Sequence, residues 1–217
     1  MHLKRNNIPK FWPIERKGTK YLSVPSHNQT ESIPLVVVIR DIFKLARNKK
    51  EIRRMLKEKQ IKINGKEIRD VNYPISLFDV LSFSATKKNY RAELSNLKKI
   101  TFKEITEKES ETRVYKVMGK KILPKNITQV NLINGRNVNT KDKINTGDSV
   151  VISFKDNKII KVLTLEKGRE ASITEGKHAG NRGKIEEIVF RGGKSIAKIN
   201  SENGKINVWV KNLIITG

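Results

Sequence analysis

Apolar residues enter this chain only in short pieces: no uninterrupted run exceeds the five residues 35–39. A core must therefore be assembled from many brief elements, and nothing approaches the roughly 20 apolar residues of a membrane-crossing helix. The first ten residues also lack the apolar stretch of a secretory signal, so the chain reads as cytosolic. Charge is the second constraint. Lys and Arg number 46 against 22 Asp and Glu, a formal net charge of +24 over 217 residues. Such a chain repels itself, and a bound polyanion relieves the repulsion by exchanging condensed counterions for protein cations. The excess is not confined to a tail, being +4, +8, +8 and +4 over residues 1–33, 34–90, 91–170 and 171–217. That distribution implies contact with nucleic acid along much of the length. There is no cysteine, which excludes disulfide scaffolds and cysteine-ligated zinc.

The apolar period changes often enough to imply three small domains behind a basic arm: 1–34 for the arm, then 35–84, 85–168 and 169–217. The arm carries Lys4, Arg5, Lys10, Arg16, Lys17 and Lys20, and Pro9, Pro13 and Pro25 favour extended backbone. Little independent order is expected there. Trp12 has two readings: stacking on a splayed base, or pinning the arm to the globule.

After Pro34 the period is helical. Leu35, Val38, Ile39, Ile42, Phe43 and Ala46 form one stripe, with Arg40, Lys44 and Arg47 on another side. Asn48 offers an N-cap to a second helix over residues 49–59. That helix turns Ile52, Met55 and Leu56 inward; beyond its opening Lys49, Lys50, Arg53, Arg54 and Lys57 occupy one outward face. Ile61, Lys62 and Ile63 alternate as a strand, Asn64 and Gly65 suit a type I′ turn leading to Lys66, and residues 78–83 read as another strand. Further on, strands are expected at 113–117, 129–133, 149–154 and 159–165, with turns at Asn134 and Gly135 and at Asp156 and Asn157. The last stretch repeats this with 171–173, 184–189, 195–199 and 205–210. Short strands punctuated by turns imply two small barrels, so the class is α+β and mostly β.

Phosphate recognition needs cations on a surface that tracks a backbone, and guanidinium adds bidentate geometry. The helix face of Arg53 and Arg54 meets that need; the plain alternative is a solvated face. Lys62, Asn64 and Lys66 present donors at the hairpin, which is otherwise just a good turn. Gly176, Gly180 and Gly183 permit close backbone approach, while Lys177, His178, Asn181, Arg182 and Lys184 face phosphate or ribose; the alternative is an ordinary barrel turn. Catalysis finds no support. His2, His27 and His178 are not in metal-ligand spacing, so no metal or cofactor is expected. Gly193, Lys194 and Ser195 imitate a phosphate loop, but Ile188 stands where its first glycine belongs. The copy at Gly183 and Lys184 fails too, with His178 leading and Ile185 in place of the hydroxyl.

The order of these pieces resembles the S-four-e family of archaeal and eukaryotic small-subunit ribosomal proteins. HLKR at residues 2–5, WPI at 12–14 and ESIPL at 31–35 are similar to the start of that family. Residues 39–66, from IRDIFKLARNKKEIRRML through KINGK, resemble an RNA-binding module of the S-four (alpha-L) type shared by several translation proteins. TGDSVVISFKDNKIIKVLTLEKG at 146–168 resembles the family's central domain, and TEGKHAGNRGKIEEI at 174–188 resembles a KOW motif, which implies an SH3-like barrel. Family members are commonly somewhat longer, so no C-terminal extension is carried over. The resemblance implies a ribosome-bound, cytoplasmic structural protein that contacts small-subunit ribosomal RNA and neighbouring ribosomal proteins. It implies no membrane or small-molecule partner, and a monomer when isolated. The rivals are a free RNA-binding translation or RNA-processing factor and a KOW-bearing elongation factor, neither of which accounts for the whole chain.

Overall fold

The computed structural model describes residues 2–124, 127–201 and 204–217. The chain forms two compact units, one ending at Glu111 and the other spanning Thr112–Gly217.

The first unit corrects the expectation of a loosely ordered arm. Leu3–Lys4 pairs antiparallel with Tyr21–Leu22, and Trp12 is fully buried. Its indole N–H donates to the Ser32 carbonyl at 3.1 Å, and its own carbonyl accepts the Lys99 ammonium at 2.9 Å. The prolines do favour extended backbone, but Leu3, Ile8, Phe11 and Ile14 pack on the same core as the module, and that burial fixes the arm.

The helix after Pro34 is shorter than its apolar stripe. Leu35–Val37 is α-helical, Val38–Ile42 widens into a π turn, and Lys44 leaves with φ of 55°. All five residues from Leu35 to Ile39 are buried, so this is a core rod with no solvent face there. Phe43 lies against Phe83, Tyr90 and Phe102, with ring centroids 4.9–5.3 Å apart, which anchors the chain and turns it before Ala46. The second helix, Lys49–Lys57, buries Ile52 and Leu56. Asn48 stands at its N-cap with extended backbone but makes no side-chain cap. The Glu51 carboxylate reaches back instead and accepts the Arg47 N–H at 2.7 Å.

These helices accompany an antiparallel sheet in the order Lys66–Glu67, Ile61–Ile63, Val80–Phe83, Lys88–Leu94, Ile100–Ile105. The sheet therefore runs on past residue 84 through Lys88–Leu94 and Ile100–Ile105. Ser32–Pro34 pairs separately with Pro74–Ser76.

Among the described residues, the second unit contains two five-stranded antiparallel sheets. One runs Asn137–Thr140, Ile127–Leu132, Thr112–Leu123, Ser149–Ser153, Ile159–Leu163. Its long strand, Thr112–Leu123, has a register shift between Val117 and Gly119 and so pairs with different neighbours on either side of it. The other sheet runs Gly204–Trp209, Lys194–Ser201, Arg182–Arg191, Glu170–Ile173, Leu213–Ile215. Each sheet carries its own small apolar cluster.

Candidate nucleic-acid interface

The helical period of residues 49–57 separates apolar from charged residues completely. With Ile52 and Leu56 in the core, Lys49, Lys50, Arg53, Arg54 and Lys57 are all exposed. Two of them have internal partners. Lys49 Nζ donates to Asn72 Oδ1 at 3.2 Å. Arg54 Nε donates to Glu58 Oε1 at 2.8 Å, and this hydrogen bond raises the guanidinium above its ordinary value. Lys50, Arg53 and Lys57 have no carboxylate partner among the described residues. Three cations thus stand on a rigid face whose other side is core.

The hairpin adds to this face. Lys59, just past the helix, forms an ion pair with Glu67 at 2.9 Å, which joins the helix end to the strand after the turn. The Lys59 contact holds Glu67 below the usual carboxylate range, and the charges of Lys62 and Arg69 add to it. Lys59 and Arg69 belong to this surface although the sequence reading did not select them. Lys59 closes the helix expected over residues 49–59 but lies off its basic stripe, and Arg69 follows the strand, so neither sits at a patterned position. Lys66 is exposed and Lys62 half-buried. Asn64 is different. It takes φ of 51°, as the turn requires, but its Nδ2 donates to Asp79 Oδ1 at 2.6 Å and its Oδ1 accepts the Val80 N–H at 2.9 Å. Its side chain is used in locking the hairpin to the following loop and is not a free donor at the tip.

The first helix contributes less than its sequence promised. Arg40 is half-buried and bidentate with Asp41, both contacts at 2.8 Å, and that hydrogen bond raises it against the opposing effect of burial. Its charge is locally neutralised. Lys44 and Arg47 are exposed at the turn between the helices.

Among the arm residues, Lys4, Lys10, Arg16 and Lys17 are exposed. Arg5 is a clamp: its guanidinium donates to the Glu15 carbonyl at 2.6 Å, the Thr19 carbonyl at 2.8 Å and Thr19 Oγ1 at 3.1 Å. Gly18 lies against it, and an added Cβ would stand 2.7 Å from Arg5 Nη2. Trp12 offers no face to a base, because its ring is sealed in the core; the pinning reading is the one the structure supports.

In the second unit, the loop between Glu170–Ile173 and Arg182–Arg191 folds back on itself. Gly176 and Gly180 hold φ of 93° and 95°, and the Gly180 N–H donates to the Ile173 carbonyl at 2.9 Å. Lys177, Arg182 and Lys184 are exposed; His178 and Asn181 are half-buried. Gly183 lies in the strand and not in the loop. A Cβ there would sit 2.2 Å from the Asn200 carbonyl oxygen, so its role is close strand approach. Among the described residues no three His, Cys, Asp or Glu gather as a metal site, and no helix is long and apolar enough to cross a membrane.

Comparison with known proteins agrees with this geometry. The model of Ribosomal family S4e matches residues 86–159, and that of the S4 domain matches residues 34–81. Small ribosomal subunit protein eS4 of Methanosphaera stadtmanae is 34% identical over 221 residues, covering 100% of this chain and 92% of that protein. Its counterpart from Methanocella arvoryzae is 34% identical over 190 residues, 86% of this chain and 80% of that protein. The crystal structure of the 30S ribosomal protein S4e from Thermoplasma acidophilum superposes with a TM-score of 0.74 at 26% identity, covering 86% of this chain and 95% of that one. A basic helix and hairpin inside the S4 match, followed by strands inside the S4e match and full-length similarity to these relatives, place the chain in the small ribosomal subunit protein eS4 family.

Proposed function

We propose that this chain is a structural constituent of the small ribosomal subunit that holds ribosomal RNA through three surfaces. These are the docked basic arm, the Lys49–Lys57 helix with its hairpin, and the loop at Gly176 and Gly180 read as a KOW loop. The observation that carries the reading is the exposed trio Lys50, Arg53 and Lys57, cations without carboxylate partners on a core-backed helix within the S4 match. Linking modest contacts on small rigid bodies raises the effective concentration at each, and neutralised phosphates let RNA helices approach one another. The work is architectural, in keeping with a ribosomal family that is not enzymatic, and it belongs to the ribosome-bound pool of the cytoplasm. Neighbouring ribosomal proteins complete its surroundings, and the isolated chain is a monomer.

The finer architecture is part of the proposal. In the C-terminal sheet, Leu213–Ile215 returns beside Glu170–Ile173 after a meander of three strands, an order that supports an SH3-like barrel. The preceding sheet supports a central barrel-like domain in the same way.

Native lysate resolved on a sucrose gradient tests the assignment: stoichiometric migration with small subunits is expected, and a mostly free pool would overturn it in favour of a free RNA-binding factor. The helix face is tested by the triple variant Lys50→Gln, Arg53→Gln, Lys57→Gln. Roughly 6–10 phosphate contacts make affinity fall about 10³–10⁵-fold between 50 and 200 mM salt, so removing three should reduce the logarithmic salt slope by about 2–3. An unchanged slope removes the helix from the interface.

A further inference from the structure

Two neighbouring strands of the second unit hide one face and show another. In Ile127–Leu132, Val130 and Leu132 are buried, which turns Gln129 and Asn131 outward; in Asn137–Thr140, Val138 packs on the same cluster, which turns Asn137 and Asn139 outward. The register places Gln129 beside Asn139 and Asn131 beside Asn137. On the other side it places Lys121 beside Gln129 and Gly119 beside Asn131. Four carboxamides therefore form two cross-strand pairs on a single face, about 5 Å apart across strands and about 7 Å along them. Asn131, Asn137 and Asn139 are exposed. None of the four has a hydrogen-bond partner among the described residues. Gly119 leaves a notch, since an added Cβ there would meet only Asn131 Nδ2, at 3.8 Å.

This arrangement runs against local preference. Asn is depleted in strands, and exposed strand positions are better filled by Thr or other β-formers. Departures from such rules concentrate at functional sites. The eight register positions 119, 121, 123, 127, 129, 131, 137 and 139 include Lys121 and no acid. Asp142, beyond the strand end, accepts a hydrogen bond from Thr140. The face thus carries nothing that repels an anion, and most of its polar groups are neutral amides that both donate and accept. Phosphate oxygens only accept. Ribose 2′-hydroxyls and base edges use both capacities, and the wide, shallow minor groove of A-form RNA displays them to a flat surface.

We propose that this carboxamide face binds the minor groove of double-stranded RNA through 2′-hydroxyls and base edges, with Lys121 on a flanking phosphate. The inference rests on the RNA-binding reading above and adds a surface whose recognition is not electrostatic. The test uses the full chain carrying Gln129→Thr, Asn131→Thr, Asn137→Thr and Asn139→Thr, substitutions that favour strand and so preserve the fold. A smaller variant, Asn137→Thr with Asn139→Thr on the edge strand, guards against misfolding. The probes are an RNA duplex and a DNA duplex of the same sequence, each titrated over salt. Wild type should prefer RNA. The quadruple variant should lose about ten-fold in RNA affinity, the scale of one or two net hydrogen bonds, together with that preference, while its salt slope stays unchanged because no cation was removed. Retained RNA affinity and preference would sink the proposal, as would a variant altered only in joining small subunits, which would assign the face to a protein neighbour. Equal binding of both duplexes by wild type overturns this inference alone, whereas no RNA binding by wild type overturns the function proposed above.

Discussion

The unit ending at Glu111 gathers distant pieces around one apolar cluster, with Trp12 from the arm beside Leu35, Ile52 and Ile100, whereas Thr112–Gly217 divides its apolar side chains between two smaller clusters, one for each sheet. Small β cores bury little, and the second unit adds polar ties between its sheets. Lys116 is buried, and its ammonium donates to the carbonyls of Val210, Lys211 and Leu213, the last two at 2.6 and 2.9 Å. Ser149 Oγ accepts the Ile215 N–H at 3.0 Å, again joining one sheet to the other. The contrast teaches that the first unit depends on side-chain volume brought from afar, and the second on backbone approach and satisfied polar groups.

Three substitutions break or sharpen that contrast. The largest effect is expected from Trp12→Ala, which empties a fully buried site and should cost the first unit about 3–5 kcal/mol. Urea unfolding checks it: circular dichroism should show an early loss, while fluorescence of Trp209, the remaining tryptophan, should report an unshifted second unit. A simultaneous shift of both signals would contradict separate cores. Next, Gly183→Ala should cost the second unit about 1–3 kcal/mol, because the new Cβ collides with backbone that cannot swing aside. Wild-type hydrogen-exchange protection across residues 182–201 in that variant would refute it.

The smallest effect is expected from Lys116→Met, about 1 kcal/mol net, since the carbonyls lose a donor while a buried charge is relieved. Its pH dependence is more telling than its size. Burial pushes the Lys116 ammonium down to about 8 from an ordinary 10.5, with the nearby Glu175 opposing and Lys211 adding to the shift. Between those values the unfolded chain binds more protons than the folded one, so this residue makes stability rise with pH across that window. The advantage of wild type over Lys116→Met should therefore widen from below pH 8 towards pH 10 in paired urea titrations. A constant difference would mean that the ammonium is not desolvated.

Local pattern made much of the first site legible. The second helix starts where the apolar period put it and ends two residues sooner, at Lys57, with Lys50, Arg53 and Lys57 outward, because 3.6-residue spacing alone separates its two faces. The Asn64-Gly65 and Asn134-Gly135 pairs take positive φ, since turn chemistry is local as well. What the linear pattern hides is which side chains meet once the chain is folded. Arg40 and Arg54 look like free cations in sequence, but adjacent or helix-spaced carboxylates neutralise them. Asn64 looks like a hairpin donor, but Asp79, fifteen residues later, holds its side chain. The carboxamide face was invisible because Gln129 and Asn131 pair with Asn139 and Asn137 only through register, and nothing in either strand alone reveals that alignment.

The sequence by itself therefore determined the electrostatic character of this protein, its short-element α+β class and the helix that displays its charge, all of which follow from composition and nearest-neighbour periodicity. Only the tertiary structure decided that the proline-rich arm docks through Trp12, that Lys116 is buried among carbonyls, and which cations and amides remain without partners. The docking of Trp12 and the burial of Lys116 depend on contacts between residues tens of positions apart, and the pairing of cations and amides on side-chain placement and strand register, where burial and hydrogen bonding outweigh the local preferences that a linear pattern can express.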